Sequence, residues 1–363
     1  MSENGVKIEA KQVEIFSGTG GVGKTTLATS RAIHLAELGK KVLLITIDPA
    51  KRLKEIMGIA DDQAGEIITV KNPFGLELAL DVELMSAHQT IKRIASQSES
   101  EEVLNSRILK ILTKPYGGLN EILALVELQL NLQKNTYDII VLDTPPGSHF
   151  LDFLEGIDKI RDFFDQNFID IFNYLDDKKR SRLKTGRKLM TMMISSGVKK
   201  LLDYLGKVTG AKFVEDFMRA IGAIYSTQAS FMQALELQKE LKDPARANWF
   251  LTTSVDQSKI LEALKLKDSA NNYITTQSIL AINKTLATEL KSGLKSELSS
   301  GDQTWQDDEN SVESKLINNL IWKEETLVEK LAGEFKSIIR FKEIISISPE
   351  EHVIQLKEAW KNY

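Results

Sequence analysis

Nine residues near the start of the chain, GTGGVGKTT at positions 18–26, restrict the possible folds more than any other segment. They follow the apolar run 13–16. They precede a stretch, 25–38, in which Ala28, Ala32, Leu35 and Leu38 share one helical face before Gly39 closes it. The order is strand, loop, helix, and the loop matches G-x-x-x-x-G-K-[ST] through Gly18, Gly23, Lys24 and Thr25. Glycines let backbone N–H groups turn inward with no Cβ in the way, and a helix start adds partial positive charge. The segment therefore reads as a phosphate cradle made by Gly20, Gly21, Val22, Gly23, Lys24, Thr25 and Thr26. Lys24 is expected to reach the β- and γ-phosphates of a nucleotide, and the Thr25 hydroxyl to ligate Mg²⁺. A plain glycine-rich turn is the competing reading, so the rest of the chain matters.

Further apolar runs at 42–47, 139–142, 250–253, 279–282 and 344–347 suit a parallel sheet covered on both faces, and 76–82 alternates like a less buried strand. Helical segments separate most of them. The expected fold is α/β, a doubly wound and mostly parallel sheet that gathers ligands at the carboxyl ends of its strands. No strand signal appears from 151 to about 241. The chain is therefore divided into an ATPase-type core, 1–150 and 246–363, with a helical subdomain, 151–245, inserted in it. A polar, acidic loop or insertion covers 287–315.

Two aspartates close apolar strands where a phosphate site needs acid: Asp48 after VLLITI and Asp143 after IIVL. Beside a phosphate loop, Asp143 fits the carboxylate that holds Mg²⁺ directly or through water. Each aspartate also fits a turn cap, since Asp-Pro and Asp-Thr-Pro open turns. Asn283 in NKTL lacks the aspartate that guanine readers use, because Leu286 stands there; adenine, and hence ATP, suits it better.

The segments GTGGVGKTT, TIDPAKRL, DTPPGSHFLDFL and ILAINKTL, in this order, resemble the arsenical-pump and tail-anchored-protein-targeting ATPases. These belong to the deviant-Walker-A P-loop proteins that include the MinD and ParA relatives. The likeness spans nearly the whole chain, and DTPPG is closest to the bacterial anion-transporting-ATPase-like branch. It implies an ATP-hydrolysing homodimer whose helical subdomains rearrange with the nucleotide and act on a hydrophobic or protein client. It also implies that Asp48 polarises the attacking water, Asp143 lies near Mg²⁺, Asn283 contacts adenine and Pro349 flanks it.

This chain departs from that pattern. Where such loops carry a lysine that reaches the partner's phosphates, Thr19 stands, and threonine cannot replace its charge. Lys51 and Arg52 are candidates to supply it. The chain has no cysteine, so it can form neither a thiolate site for arsenite nor a C-x-x-C zinc clip. It is therefore expected not to be an arsenite-pump subunit and to hold no zinc. His149 lies near the expected site, although a histidine after a turn more often only satisfies its own polar contacts. A slow switch or positioning protein of the MinD and ParA kind is the alternative function.

The 47 basic and 51 acidic residues leave a net charge of −4, which creates no general attraction to nucleic acid or anionic membrane. A polar N-terminus and the lack of a long apolar run point to the cytoplasm, with membrane contact at most indirect. The aromatic stripe in 163–175 and Met190, Met192 and Met193 form either a client groove or ordinary core. The basic run 178–188 reads as a solvated helix end. Val353, Leu356 and Trp360 share a face expected to pack back onto the sheet.

Overall fold

The computed structural model describes residues 7–47, 51–60, 63–71, 77–95, 99–114, 119–163, 207–287, 290, 312–346 and 348–363. Eight strands form one sheet: β1 (Val13–Gly18), β2 (Val42–Thr46), β3 (Ile67–Lys71), β4 (Glu77–Leu84), β5 (Ile139–Asp143), β6 (Ala247–Ser254), β7 (Ser278–Thr285) and β8 (Ser337–Lys342). Their lateral order is β3-β4-β2-β5-β1-β6-β7-β8. All neighbours are parallel except β3 and β4. The described helices are α1 (Lys24–Glu37), α2 (Lys51–Met57), α3 (Ala87–Ala95), α4 (Glu101–Leu104), α5 (Arg107–Leu112), α6 (Asn120–Lys134), α7 (Ser148–Phe163), α8 (Ala211–Ser226), α9 (Gln228–Ala234), α10 (Leu237–Lys242), α11 (Gln257–Ala270), α12 (Val312–Leu331) and α13 (Pro349–Ala359).

Every position of β1, β2 and β5 is buried, as in a sheet covered on both faces. From β1 the chain passes to β2 on one side, and later to β6 on the other. The carboxyl end of β1 thus lies at the topological switch point, where doubly wound sheets take ligands.

Six of the expected strands coincide with β1, β2, β4, β5, β6 and β7. The seventh requires correction: the last strand is β8, and residues 344–346 lie beyond it. β8 is an edge strand in which buried Ile339 and Phe341 alternate with Arg340 and Lys342, so a continuous apolar run was the wrong template for it. Ile345 in the expected run is 96% exposed. The short β3, antiparallel to β4 at the other edge, was not anticipated.

The core gathers around aromatic rings. Phe16 and Phe250 stack with centroids 4.6 Å apart. Trp360 meets both edge-on, at 6.1 and 5.6 Å, and lies 4.7 Å from Phe341. Its indole Nε1 donates to Ser30 Oγ at 2.9 Å, which anchors the C-terminus to α1. Val353, Leu356 and Trp360 are all buried, so the C-terminal apolar face packs inward as expected. Beside them Arg31 stands 4.8 Å over the Trp360 ring and donates to both carboxylate oxygens of Glu14, at 2.8 and 3.0 Å. Glu14 is fully buried, so breaking this pair leaves a charge without compensation, at a cost of about 3–5 kcal/mol.

The chain divides into two compact units. One comprises Met1–Met85, Lys134–Asp152 and Lys239–Tyr363 and holds the sheet; the other comprises Ser86–Gln133 and Phe153–Gln238 and is helical among the described residues. The helical unit therefore takes in residues 86–133, which sequence reading places with the core. Periodicity identifies a helix, but not the body in which it packs. Within this unit, fully buried Glu127 of α6 accepts from Thr90 at 2.8 Å and Arg93 at 2.9 Å, tying α3 to α6. Met190, Met192, Met193 and the basic run 178–188 lie outside the described residues. So do the side chains of the aromatic stripe 163–175 and most of the expected loop 287–315.

Candidate functional site

The loop between β1 and α1 takes its shape from close approaches that only glycine permits. A Cβ on Gly18 would collide with the Thr252 carbonyl of β6. Gly23, with φ +88°, holds the left-handed conformation at the start of α1, and a Cβ there would meet the Asn283 amide. Gly23 brings no capping side chain, and the first turn of α1 contains no acidic residue. The N–H groups at this helix start are thus left for an anion. Two further contacts brace the loop. Asn283 Nδ2 donates to the Val22 carbonyl at 3.0 Å, and Gly147 N donates to the Gly18 carbonyl at 2.9 Å.

Sheet register brings the acid to the loop. Phe16 of β1, Asp143 of β5 and Thr46 of β2 stand in one row, so Asp143 lies at the carboxyl edge beside the β1 end. Lys24 Nζ donates to Asp143 Oδ1 at 2.5 Å and also to the Thr144 carbonyl. The other carboxylate oxygen, Oδ2, accepts from Thr25 Oγ1 at 2.8 Å and from Thr46 Oγ1 at 3.1 Å. Lys24 is 8% exposed and Asp143 1%, so this charge pair is shielded from water. Sequence reasoning did not name Thr46, although its place at the end of VLLIT, one strand from Asp143, was available as a signal.

A cavity of about 290 Å³ opens over the loop. Gly20, Gly21, Gly23, Lys24, Thr25, Thr26 and Asn283 line it, together with Thr19, Pro146, Lys284 and His352. Val22 lies beneath, 1% exposed, and contributes its carbonyl to Asn283. Pro349 does not line the cavity. It opens the first turn of α13 behind the cap Ser348, a position suited to proline, and His352 on the same helix reaches the cavity instead. Lys284, with φ +63°, is one of two non-glycine residues with positive φ among those described. His149 lies in the first turn of α7, 3.3 Å from Asp152 and away from the cavity lining. Asp48 lies outside the described residues, as do the side chains of Lys51 and Arg52 at the start of α2.

The donor set fits magnesium. The Thr25 hydroxyl and the Asp143 carboxylate meet at 2.8 Å, and both offer the hard oxygens that Mg²⁺ prefers. Among the described residues no group of three or more His, Cys, Asp or Glu side chains is placed to hold a metal. Mg²⁺ needs none, since it uses one or two protein ligands plus phosphates and waters.

Strand order, loop and strand-end acid define an α/β protein of the P-loop NTPase fold. Residues 11–310 match the family described as Anion-transporting ATPase, and the chain belongs to that family. It is 31% identical over 162 residues to "Putative arsenical pump-driving ATPase 2" of Aquifex aeolicus (strain VF5), covering 43% of this chain and 52% of that protein. It is 32% identical over 137 residues to "ATPase GET3" of Mycosarcoma maydis, covering 38% and 40%. To "ATPase ASNA1 homolog" of Babesia bovis it is 29% identical over 164 residues, covering 45% and 43%. The chain spans about half the length of these curated relatives, or less.

Proposed function

We propose that the chain binds and hydrolyses Mg-ATP and works as a homodimer, passing its nucleotide state to the helical unit, which acts on a hydrophobic or protein client. The observation that carries this reading is the meeting of Lys24, Asp143 and Thr25 beneath a helix start free of capping side chains. Amides of Gly20, Gly21, Val22, Gly23, Lys24, Thr25 and Thr26 cradle the phosphates, and Lys24 turns from Asp143 towards the β- and γ-phosphates. Thr25 and Asp143 hold the magnesium, which, when bound, neutralises charge developing on the phosphates. Asp48 orients the attacking water and Asn283 braces the loop and meets adenine; Lys284 and His352, which line the cavity, flank the base in place of Pro349, which does not line it. α7 begins just past Gly147, and the boundary between the two units falls within it, after Asp152.

The relatives' names include an arsenical pump-driving ATPase. This chain has no cysteine, so a thiolate arsenite site is not part of the proposal, and neither is a zinc clip at the dimer. Among the described residues no helix is long and apolar enough to cross a membrane; a cytoplasmic place with at most indirect membrane contact belongs to the proposal. One observation favours the second reading, a slow nucleotide-gated switch: Thr19 contributes no positive charge at the loop's second position. Turnover measured across protein concentration separates the two. A specific rate that rises steeply as dimers form supports the first reading, and a flat, very slow rate supports the second.

A further inference from the structure

Strand β7 does not pair evenly with β8. Between the pairs Ile282–Arg340 and Thr285–Lys342 it carries two residues, Asn283 and Lys284, against Phe341 alone. This is a β-bulge, a device that bends a strand and re-aims its side chains. Both bulge residues line the cavity, and Lys284 does so with a left-handed φ of +63°. A lysine persists in that conformation only where its surroundings fix the backbone. Asn283 has its own anchor in the Val22 carbonyl. The Lys284 side chain is held more loosely, its Nζ standing 4.0 Å from Glu343 Oε1 in a half-exposed pair of small energetic weight. What fixes the backbone lies just after it. Thr285 bonds β8 twice, donating through Oγ1 to the Phe341 carbonyl at 3.2 Å and accepting at its own carbonyl from Glu343 N at 3.0 Å. The next two amides, of Leu286 and Ala287, turn to α12, where both donate to one oxygen of Glu324, at 3.0 and 3.2 Å. Glu324 is 5% exposed. A carboxylate is costly to bury, and the two amides are what offsets that cost here.

We propose that Glu324 is a positioning residue of the nucleotide site. By holding the amides of Leu286 and Ala287 it keeps the bulge in its left-handed form, and thereby keeps Lys284 at the cavity. The inference rests on the nucleotide reading above and adds to it a residue of α12 that lies outside the cavity lining and acts through Lys284.

The test compares Glu324→Leu, which keeps the bulk and removes the acceptor, with Glu324→Asp, which draws the acceptor back by one methylene, and Glu324→Gln, which keeps an acceptor oxygen at the same reach. Calorimetry with magnesium and a non-hydrolysable ATP analogue is expected to show binding weakened about tenfold in Glu324→Leu and Glu324→Asp and little changed in Glu324→Gln. Lys284→Ala is expected to show a loss of the same size. Glu324→Leu combined with Lys284→Ala is expected to bind no more weakly than either alone, because the clamp then has no side chain left to place. A carboxylate that merely supports the fold multiplies the two losses instead. Should Glu324→Leu fail to fold, Glu324→Asp combined with Lys284→Ala gives the same comparison. If the Glu324 variants bind as tightly as the unsubstituted protein, or if the two losses multiply, while Lys24→Ala does not bind, the inference fails and the nucleotide reading stands. If the unsubstituted protein does not bind the analogue, both fall together.

Discussion

Lys24 and Asp143, 119 positions apart in the chain, meet at 2.5 Å between Nζ and Oδ1, with the second carboxylate oxygen held by Thr25. One carboxylate thus restrains both the cation proposed to serve phosphate and the hydroxyl proposed to serve magnesium. Asp143→Asn preserves the shape and removes the charge. It is expected to lower apparent magnesium affinity about 10–100-fold, the range seen when a partner of a metal site is replaced. Magnesium titration of nucleotide-dependent turnover reads the effect, and an unchanged midpoint removes Asp143 from the metal site.

Gly23→Ala tests the shape of the loop apart from its charges. The left-handed φ of +88° costs a residue with a Cβ about 1–2 kcal/mol. The added methyl also runs into the Asn283 amide that braces Val22. Nucleotide binding is expected to be lost while far-ultraviolet circular dichroism stays native, because the strain falls on the loop and not on the sheet.

Trp360→Ala is expected to destabilise the sheet unit by about 3–5 kcal/mol. Trp360 is 1% exposed, touches Phe16, Phe250 and Phe341, and hydrogen-bonds Ser30 on the helix that follows the phosphate loop. Urea denaturation measures the loss. A cost below about 1 kcal/mol contradicts the packing described, since surface substitutions fall within that range.

The stability of the protein is expected to depend on pH through His34. Burial, with Arg31 adding to it, holds its imidazole below the ordinary value of 6.5. The unfolded chain therefore takes up the proton first as pH falls, so folded stability is complete above pH 6.5 and declines as pH drops below it, levelling off once the folded form protonates. His88, lowered mainly by burial in the helical unit, acts in the same direction. Denaturant midpoints at pH 7.5 and 5.5 should draw closer together in His34→Gln. An undiminished pH dependence in that variant excludes His34 as a contributor.

The parts of this architecture that local chemistry dictates were legible in the sequence. GTGGVGKTT needs its glycines for backbone reasons that hold in any context, and the acid ending IIVL marks itself by position. The rest depends on long-range packing. Nothing local announces that His352 of α13 reaches the cavity, or that Asn283 bonds the Val22 carbonyl from across two strands. The same holds for β8, where Arg340 and Lys342 interrupt the apolar run because the strand lies at an edge. Residues 86–133 read as helical wherever they pack, so their place in the second unit was hidden. The burial of the Thr19 hydroxyl cannot be read from a motif that admits any residue at that position.

The central claim is that the amides of the β1–α1 loop and Lys24 hold a magnesium nucleotide. Calorimetry of the purified chain with ATP and Mg²⁺, beside Lys24→Ala, tests it most directly. Saturable binding in the unsubstituted protein that Lys24→Ala abolishes is the result expected. No binding in the unsubstituted protein, or equal binding in both, contradicts the account.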